Sequence, residues 1–299
     1  MKERTTLWNG LGIDVSDCNT SEEVMKKAGL DWTVSKQPLI YNDKVTDYFV
    51  IRRDDTGDLL SPVGSTFQPI QNSEAFDFLD NLIPEGVTYE KVGVCKDGRK
   101  IWALAKMPEY TILGDDFNPY VVLMNGHGWG PSLKACITPV RVACQNTLNL
   151  AFSKADRKWS FRHCLNTKVK MDEAITTLNN VDNYMAVLKN EIEELAMIKV
   201  SPQKFDYLAR TIFPIKDSTT AKKEEEQLLL RDTLKQMYNA DDLGNIKGTA
   251  WGLLNAVSDL TMHKELRKGS TAETYTNRML NIAEFGEPIL DKAYAILTK

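Results

Sequence analysis

The feature that most constrains this chain is a stripe of seven apolar residues, Ala174, Leu178, Val181, Met185, Leu188, Ile192 and Leu195, spaced by alternating steps of four and three. That spacing places all seven on one face of an α-helix and lays the face along a partner helix. Downstream, EEEQLLLRDTLKQMYN, GTAWGLLNAVSDLTMHKEL and TAETYTNRMLNIAEFGEPILDKAYAILTK carry helical periodicity and supply partners. Residues 167–299 therefore read as a helical domain, a bundle or hairpin array. The polar stretch FPIKDSTTAKKEEEQ reads as a mobile loop within it.

Before residue 167, alternation of period two replaces the helical spacing. DWTVSKQPLIY, DYFVIRR and LLSPVGSTF are strand-like, and DDTGD between the last two is a turn. VTYEKVGVCKDGRKIWALAKM is the clearest hairpin, because two alternating runs flank an Asp-Gly pair suited to positive φ. NPYVVLMN and SLKACITPVRV form a second around GHGWGP, with Pro139 expected at an edge or a bulge. Two short helices interrupt the strands. SEEVMKKAGL, with Ser21 as N-cap and Gly29 as terminator, is expected as a lid or edge element; NSEAFDFLDNLIP is capped by Asn72 or Ser73 and stopped by Pro84. A third helix is expected over residues 142–153. The fold class is α+β: a mixed or antiparallel sheet with hairpins in a domain spanning residues 1–166, then the helical half.

Enzyme chemistry finds little support. The chain has three histidines, His127, His163 and His263, and no HExxH, GxSxG, Walker A or GxGxxG pattern. His263 follows Asp259 by four residues, a helical spacing that pairs the two locally. Cys144, at the start of the expected helix, is a conceivable nucleophile, but Val142 and Ala143 beside it fit a buried core thiol better. His127, His163, Cys144 and Cys164 lack the spacing of a zinc site, so neither metal nor cofactor is expected. Five cysteines without a CxxC pair indicate no disulfide framework. No apolar run reaches the roughly 18 residues of a membrane span and the N-terminus lacks a signal-peptide core, so a cytoplasmic location with reduced thiols is expected.

Charge is more informative. The chain carries a formal −4, yet the window from residue 134 to 170 holds eight basic residues against Asp156 alone and is +7, which leaves −11 on the remainder. Phe152, Trp159 and Phe161 interleave with those cations, a composition suited to single-stranded nucleic acid. The candidate nucleic-acid-binding residues are Lys134, Arg141, Arg157, Lys158, Trp159 and Arg162. Strand alternation in DRKWSFRHCLN sends Arg157, Trp159, Phe161 and His163 one way and Lys158, Ser160, Arg162 and Cys164 the other. Lys134 and Arg141, seven apart, also fall on opposite faces unless a bulge at Pro139 changes the parity. In GHGWGP the glycines supply turn freedom, and His127 and Trp129 are candidate loop contacts if backbone amides there meet a phosphate.

The block TPVRVACQNTL, residues 138–148, resembles a family of phage- and plasmid-borne proteins known as domain of unknown function 932. Asn125, His127 and Gly128 or Gly130 match its Asn-x-His-x-Gly-like turn, Arg162 and His163 its Arg-His pair, and TAWGLLNAVSDLTMH its C-terminal signature. The resemblance covers most of residues 30–265 and implies a mobile-element origin; it brings no catalytic residue. A fold-level analogy extends to phage single-strand annealing proteins, which set a hairpin-rich sheet before a helix. The first functional expectation is thus a phage- or plasmid-borne, non-enzymatic DNA-binding protein, binding single-stranded or double-stranded DNA in recombination or replication, with a helical half suited to homo-oligomer assembly. The second is a counter-defence protein that binds and inhibits a host immune complex. The third is an enzyme using Cys144 or the histidines.

Overall fold

The computed structural model describes residues 10–82, 88–95, 97–128, 133–141, 146–147, 158–163, 181–262 and 271–299. Strands dominate the first half: β1 (Ile13–Asp14), β2 (Val34–Tyr41), β3 (Lys44–Arg53), β4 (Leu59–Val63), β5 (Thr88–Cys95), β6 (Lys100–Lys106), β7 (Tyr110–Ile112), β8 (Asp115–Gly126), β9 (Leu133–Arg141), β10 (Asn146–Thr147) and β11 (Lys158–Phe161). Helices α1 (Ser21–Ala28) and α2 (Asn72–Leu82) lie among them. The second half is helical: α3 (Val181–Met197), α4 (Pro202–Ile212), α5 (Ala221–Tyr238), α6 (Ala250–Met262), α7 (Ala272–Phe285) and α8 (Pro288–Leu297).

The larger sheet runs β1-β5-β6-β8-β9-β10, with β7 also beside β8 and β11 also beside β9. Its pairings are antiparallel. The predicted KDGR turn joins β5 to β6 with Asp97 and Gly98 both at positive φ, the geometry that closes a twisted hairpin. Alternation sends Ile101, Ala103, Leu123, Ala135 and Ile137 to one face, where α1 and α2 pack through Val24, Phe76, Phe78 and Leu79. Trp102, Leu104, Val122, Met124 and Cys136 take the other, under Met279, Leu280, Ile282 and Ala283 of α7. Covered on both faces, β6 and β8 read as the continuous apolar runs IWALA and YVVLM. Trp102 lies against β5 so closely that a Cβ on Gly93 would sit 2.8 Å from its indole nitrogen.

The smaller sheet is the antiparallel β2-β3-β4, and the DDTGD turn between β3 and β4 forms as expected, with Gly57 at φ 80. In the helical half, the apolar stripe is core: Met185, Leu188, Ile192 and Leu195 are buried, and α3 packs on α6. Ala174 and Leu178 lie outside the described residues. Helix α6 is buried on nearly every side and also meets α5, α8 and β10. Two of its buried polar side chains turn back on their own helix: Asn255 Nδ2 donates to Trp251 O at 2.8 Å and Thr261 Oγ1 to Val257 O at 3.0 Å.

Several local expectations are corrected. Thr20 rather than Ser21 caps α1, its hydroxyl accepting from the Glu23 amide at 3.2 Å, while Gly29 ends the helix in the left-handed region as expected. With Val24 fully buried, α1 is a core element and not a lid. Asn72 is the first residue of α2 and spends its side chain elsewhere, and Glu74 instead accepts from the Gln71 amide at 2.8 Å. Pro139 sits in neither an edge strand nor a bulge. β9 has β8 on one side and β10 and β11 on the other, and the β8–β9 register runs unbroken from Met124↔Lys134 to Phe117↔Arg141. Where a helix over 142–153 is expected, Asn146 and Thr147 fold back onto Arg141 and Val140 as β10, a choice suited to two weak helix formers. FPIKDSTTAKKEEEQ contains an ordered turn at Lys216–Thr219 and the first turns of α5, and Arg231 Nε donates to Phe213 O at 3.0 Å.

Candidate functional site

The basic residues singled out from sequence converge on the last strands of the large sheet. Antiparallel pairing sets Lys158 opposite Cys136, Trp159 opposite Ala135 and Ser160 opposite Lys134, with Arg141 closing β9 and Arg162 just past β11. Lys134, Arg141, Lys158 and Trp159 thus lie in two neighbouring strands, with Arg162 one residue beyond and Arg141 past the stretch of β9 that pairs with β11. They do not share one role. Lys134 faces α7, where its ammonium pairs with Glu284 and lies 5.6 Å from the Phe285 ring centroid, leaving it mostly covered. Trp159 is half-buried against the core on the opposite face, beside Phe161. Arg162 is exposed. The unbroken register keeps Lys134 and Arg141 at positions of opposite parity, so the bulge that would have united them does not form. Arg157 and Trp129 lie outside the described residues, as do Cys144, Cys164 and His263.

The Asn-x-His turn and the Arg-His pair meet in a buried polar cluster. Asn125 and His127 extend from the end of β8, His163 follows β11, and all three are nearly or fully buried on the α2 face. Asn125 Nδ2 donates to Ile70 O at 3.0 Å, and the Ile70 amide donates to His163 Nδ1 at 3.1 Å. Asn72, at the start of α2, donates Nδ2 to Leu30 O at 2.9 Å, which leaves its Oδ1 for His127 Nε2 at 2.8 Å. Those partners fix the tautomers: the proton of His127 must sit on Nε2 and that of His163 on its own Nε2. The rings are wedged by aromatics, His127 edge-on to Trp32 at 5.1 Å and His163 stacked on Phe67 at 4.7 Å. Among the described residues, Asn125 Oδ1, His127 Nδ1 and Trp32 Nε1 are buried with no hydrogen-bond partner.

Burial sets the electrostatics. It drives the His127 imidazole down to about 3, with the charges of His163 and Arg53 adding to the effect. His163 is lowered to about 4 by burial, against an opposite pull from the carbonyls of Gln68 and Gly126. Both rings are therefore neutral near pH 7 and shielded from solvent. The cluster joins α2, the segment before β2, β8 and the end of β11 into one unit, and its chemistry is that of a structural tie. Gly128 fits the same account, since a Cβ there would lie 2.6 Å from Ser61 Cβ, so its small size serves the close approach of β4. His127, expected as a loop contact, points inward instead. Asn72 and Trp32 carry no sequence signal of this role, for no spacing links them to residues 53 to 131 positions away. Among the described residues no group of three His, Cys, Asp or Glu side chains is placed to hold a metal ion, and no helix is long and apolar enough to cross a membrane.

In comparison with protein families, the model of a domain of unknown function (DUF932) matches residues 59–281, well over half of the chain. No curated protein and no solved structure matches.

Proposed function

The chain belongs to the DUF932 family, and from that premise we propose that it is a non-enzymatic nucleic-acid-binding protein of a phage or plasmid, acting in the cytoplasm on single-stranded DNA during recombination or replication. The observation that carries the reading is the placement of Lys158 in β11 and of Arg162 just past it at backbone positions of one parity, within a segment of net charge +7; Arg141 ends β9 away from them, at a position of the other parity. A segment rich in cations attracts a phosphate backbone without needing a groove built for particular bases. Lys134 and Trp159 drop out of the proposed contact surface, the first engaged by Glu284 and the second packed on the core.

Removing Arg141, Arg157, Lys158 and Arg162 together is expected to weaken binding of a labelled oligonucleotide. The slope of log affinity against log salt should become shallower by about 0.7 for each single-strand phosphate that is no longer neutralised. Lys134→Ala should leave that slope unchanged. Absence of salt-sensitive binding by the wild-type chain at micromolar concentration, or an unaltered slope in the fourfold variant, would overturn the proposal and bring forward binding to a host defence protein.

A further inference from the structure

Single strands are held by cations together with an aromatic ring on which a base can stack. Trp159, the aromatic that interleaves with the cations in sequence, is packed on the core. The other side of the same strand pair carries a different ring. Residues directly opposite in an antiparallel ladder share a side of the sheet, so Lys158, opposite Cys136, and Ser160, opposite Lys134, belong to the side that α7 covers. Arg162, exposed and two residues beyond Ser160, has the same parity. Phe285 ends α7 on this side. It is 62% exposed, and the Lys134 ammonium lies 5.6 Å from its ring centroid. The Gly286 amide donates to Ile282 O at 2.8 Å and closes the helix directly after it, while Lys134 is held in place by Glu284. The ring is thus presented from the last turn of a regular helix, with Lys134 between it and β11.

We propose that Phe285 is the platform on which an unpaired base stacks while the strand's phosphates follow Lys158 and Arg162, an inference that rests on the nucleic-acid reading above. Lys158 and Arg162 are four residues apart, about 13 Å along an extended chain, and the position between them, Ser160, is the one in register with Lys134. A backbone tracking β11 therefore passes Lys134, and a base turned toward α7 meets the ring beyond it. Every base has a π-face, so the contact needs no particular sequence. In a duplex those faces are already covered by neighbouring bases, and the ring has nothing to stack on. Phe285 accordingly sets a preference for single strands over duplex, which the cations alone do not supply. A neutral ring displaces no counterion, so its contribution appears in the affinity and leaves the salt slope to the cations.

The test is fluorescence anisotropy of the full chain with three labelled probes of equal length: an oligothymidylate, a duplex, and a strand whose nucleotides are abasic. Phe285→Ala and Phe285→Tyr are compared with the wild type, and the exposed position should leave the circular dichroism of both unchanged. Phe285→Ala should weaken oligothymidylate binding by about 5- to 150-fold, the range expected for one stacked base. It should leave the duplex, the abasic strand and the salt slope as they were, and Phe285→Tyr, which keeps a ring, should bind like the wild type. Salt-sensitive wild-type binding that Phe285→Ala does not weaken, or weakens equally for all three probes, would overturn the stacking role and leave the cationic surface standing. A wild-type chain that binds none of the probes would overturn the nucleic-acid reading and this inference together.

Discussion

At the scale of single residues, His127 and His163 make the fold sensitive to acid. Each ring has an ordinary value of 6.5 when the chain unfolds, and about 3 and about 4 respectively when folded. Between those limits the unfolded chain binds more protons than the native one, so the contribution is complete above about pH 6.5 and is lost as pH falls toward 4 and 3. Each ring should remove about 1.4 kcal/mol per pH unit within its window. Urea midpoints at pH 7, 6 and 5 are expected to fall steadily for the wild type and less steeply for His127→Gln and His163→Gln. A wild-type midpoint unchanged from pH 7 to pH 5 would mean that the rings are not held neutral. Legibility at this scale is limited for a physical reason. The turn glycines and the Asp-Gly pair act through their own backbone and can be read locally, whereas His127 depends on Asn72 and Trp32, which only the folded sheet brings to it.

At the scale of elements, a regular pattern is legible when one face has one environment. The stripe along α3 reads correctly because its buried face packs against α6, and over the described residues 159–163 the alternation separates Trp159, Phe161 and His163 on the covered side from the exposed Ser160 and Arg162. The pattern fails where pairing decides. Asn146 and Thr147 sit in a stretch that reads as helical, yet β9 offers them unpaired backbone groups, and a strand results. The β2–β3 ribbon is visible in sequence as two strands, but its length beyond β4 is not, because that depends on where the neighbour stops. Leu188, 1% exposed at the centre of the α3 stripe, tests the packing directly. Leu188→Ala is expected to cost about 2 to 5 kcal/mol by denaturant titration, and a loss below about half a kcal/mol would place the stripe outside the core.

At the scale of the whole molecule, the question is whether the sheet and the helices are one cooperative unit. The sequence changes character near residue 167, and composition alone divides the chain there into a sheet domain and a helical one. Packing crosses that line. Helix α7 covers a face of the sheet by placing Met279, Leu280 and Ala283 on Trp102 and Val122, the Lys134–Glu284 pair ties the same helix to β9, and α6 contacts β10. A helix that serves as one layer of a sheet's core cannot leave without exposing the apolar face beneath it. Loss of the helical half should therefore unfold the sheet at the same denaturant concentration. Tryptophan fluorescence and helical circular dichroism report unequally on the two halves, for Trp32, Trp102 and Trp159 lie with the strands and most helix lies beyond residue 181, and a Trp251→Phe background removes the buried indole of α6 from the fluorescence signal. The two signals are expected to give coincident urea transitions with a single midpoint. A helical signal that melts first, leaving the fluorescence transition intact, would show that the interface around α7 is too weak to couple the halves and that the boundary near residue 167 is a true domain border.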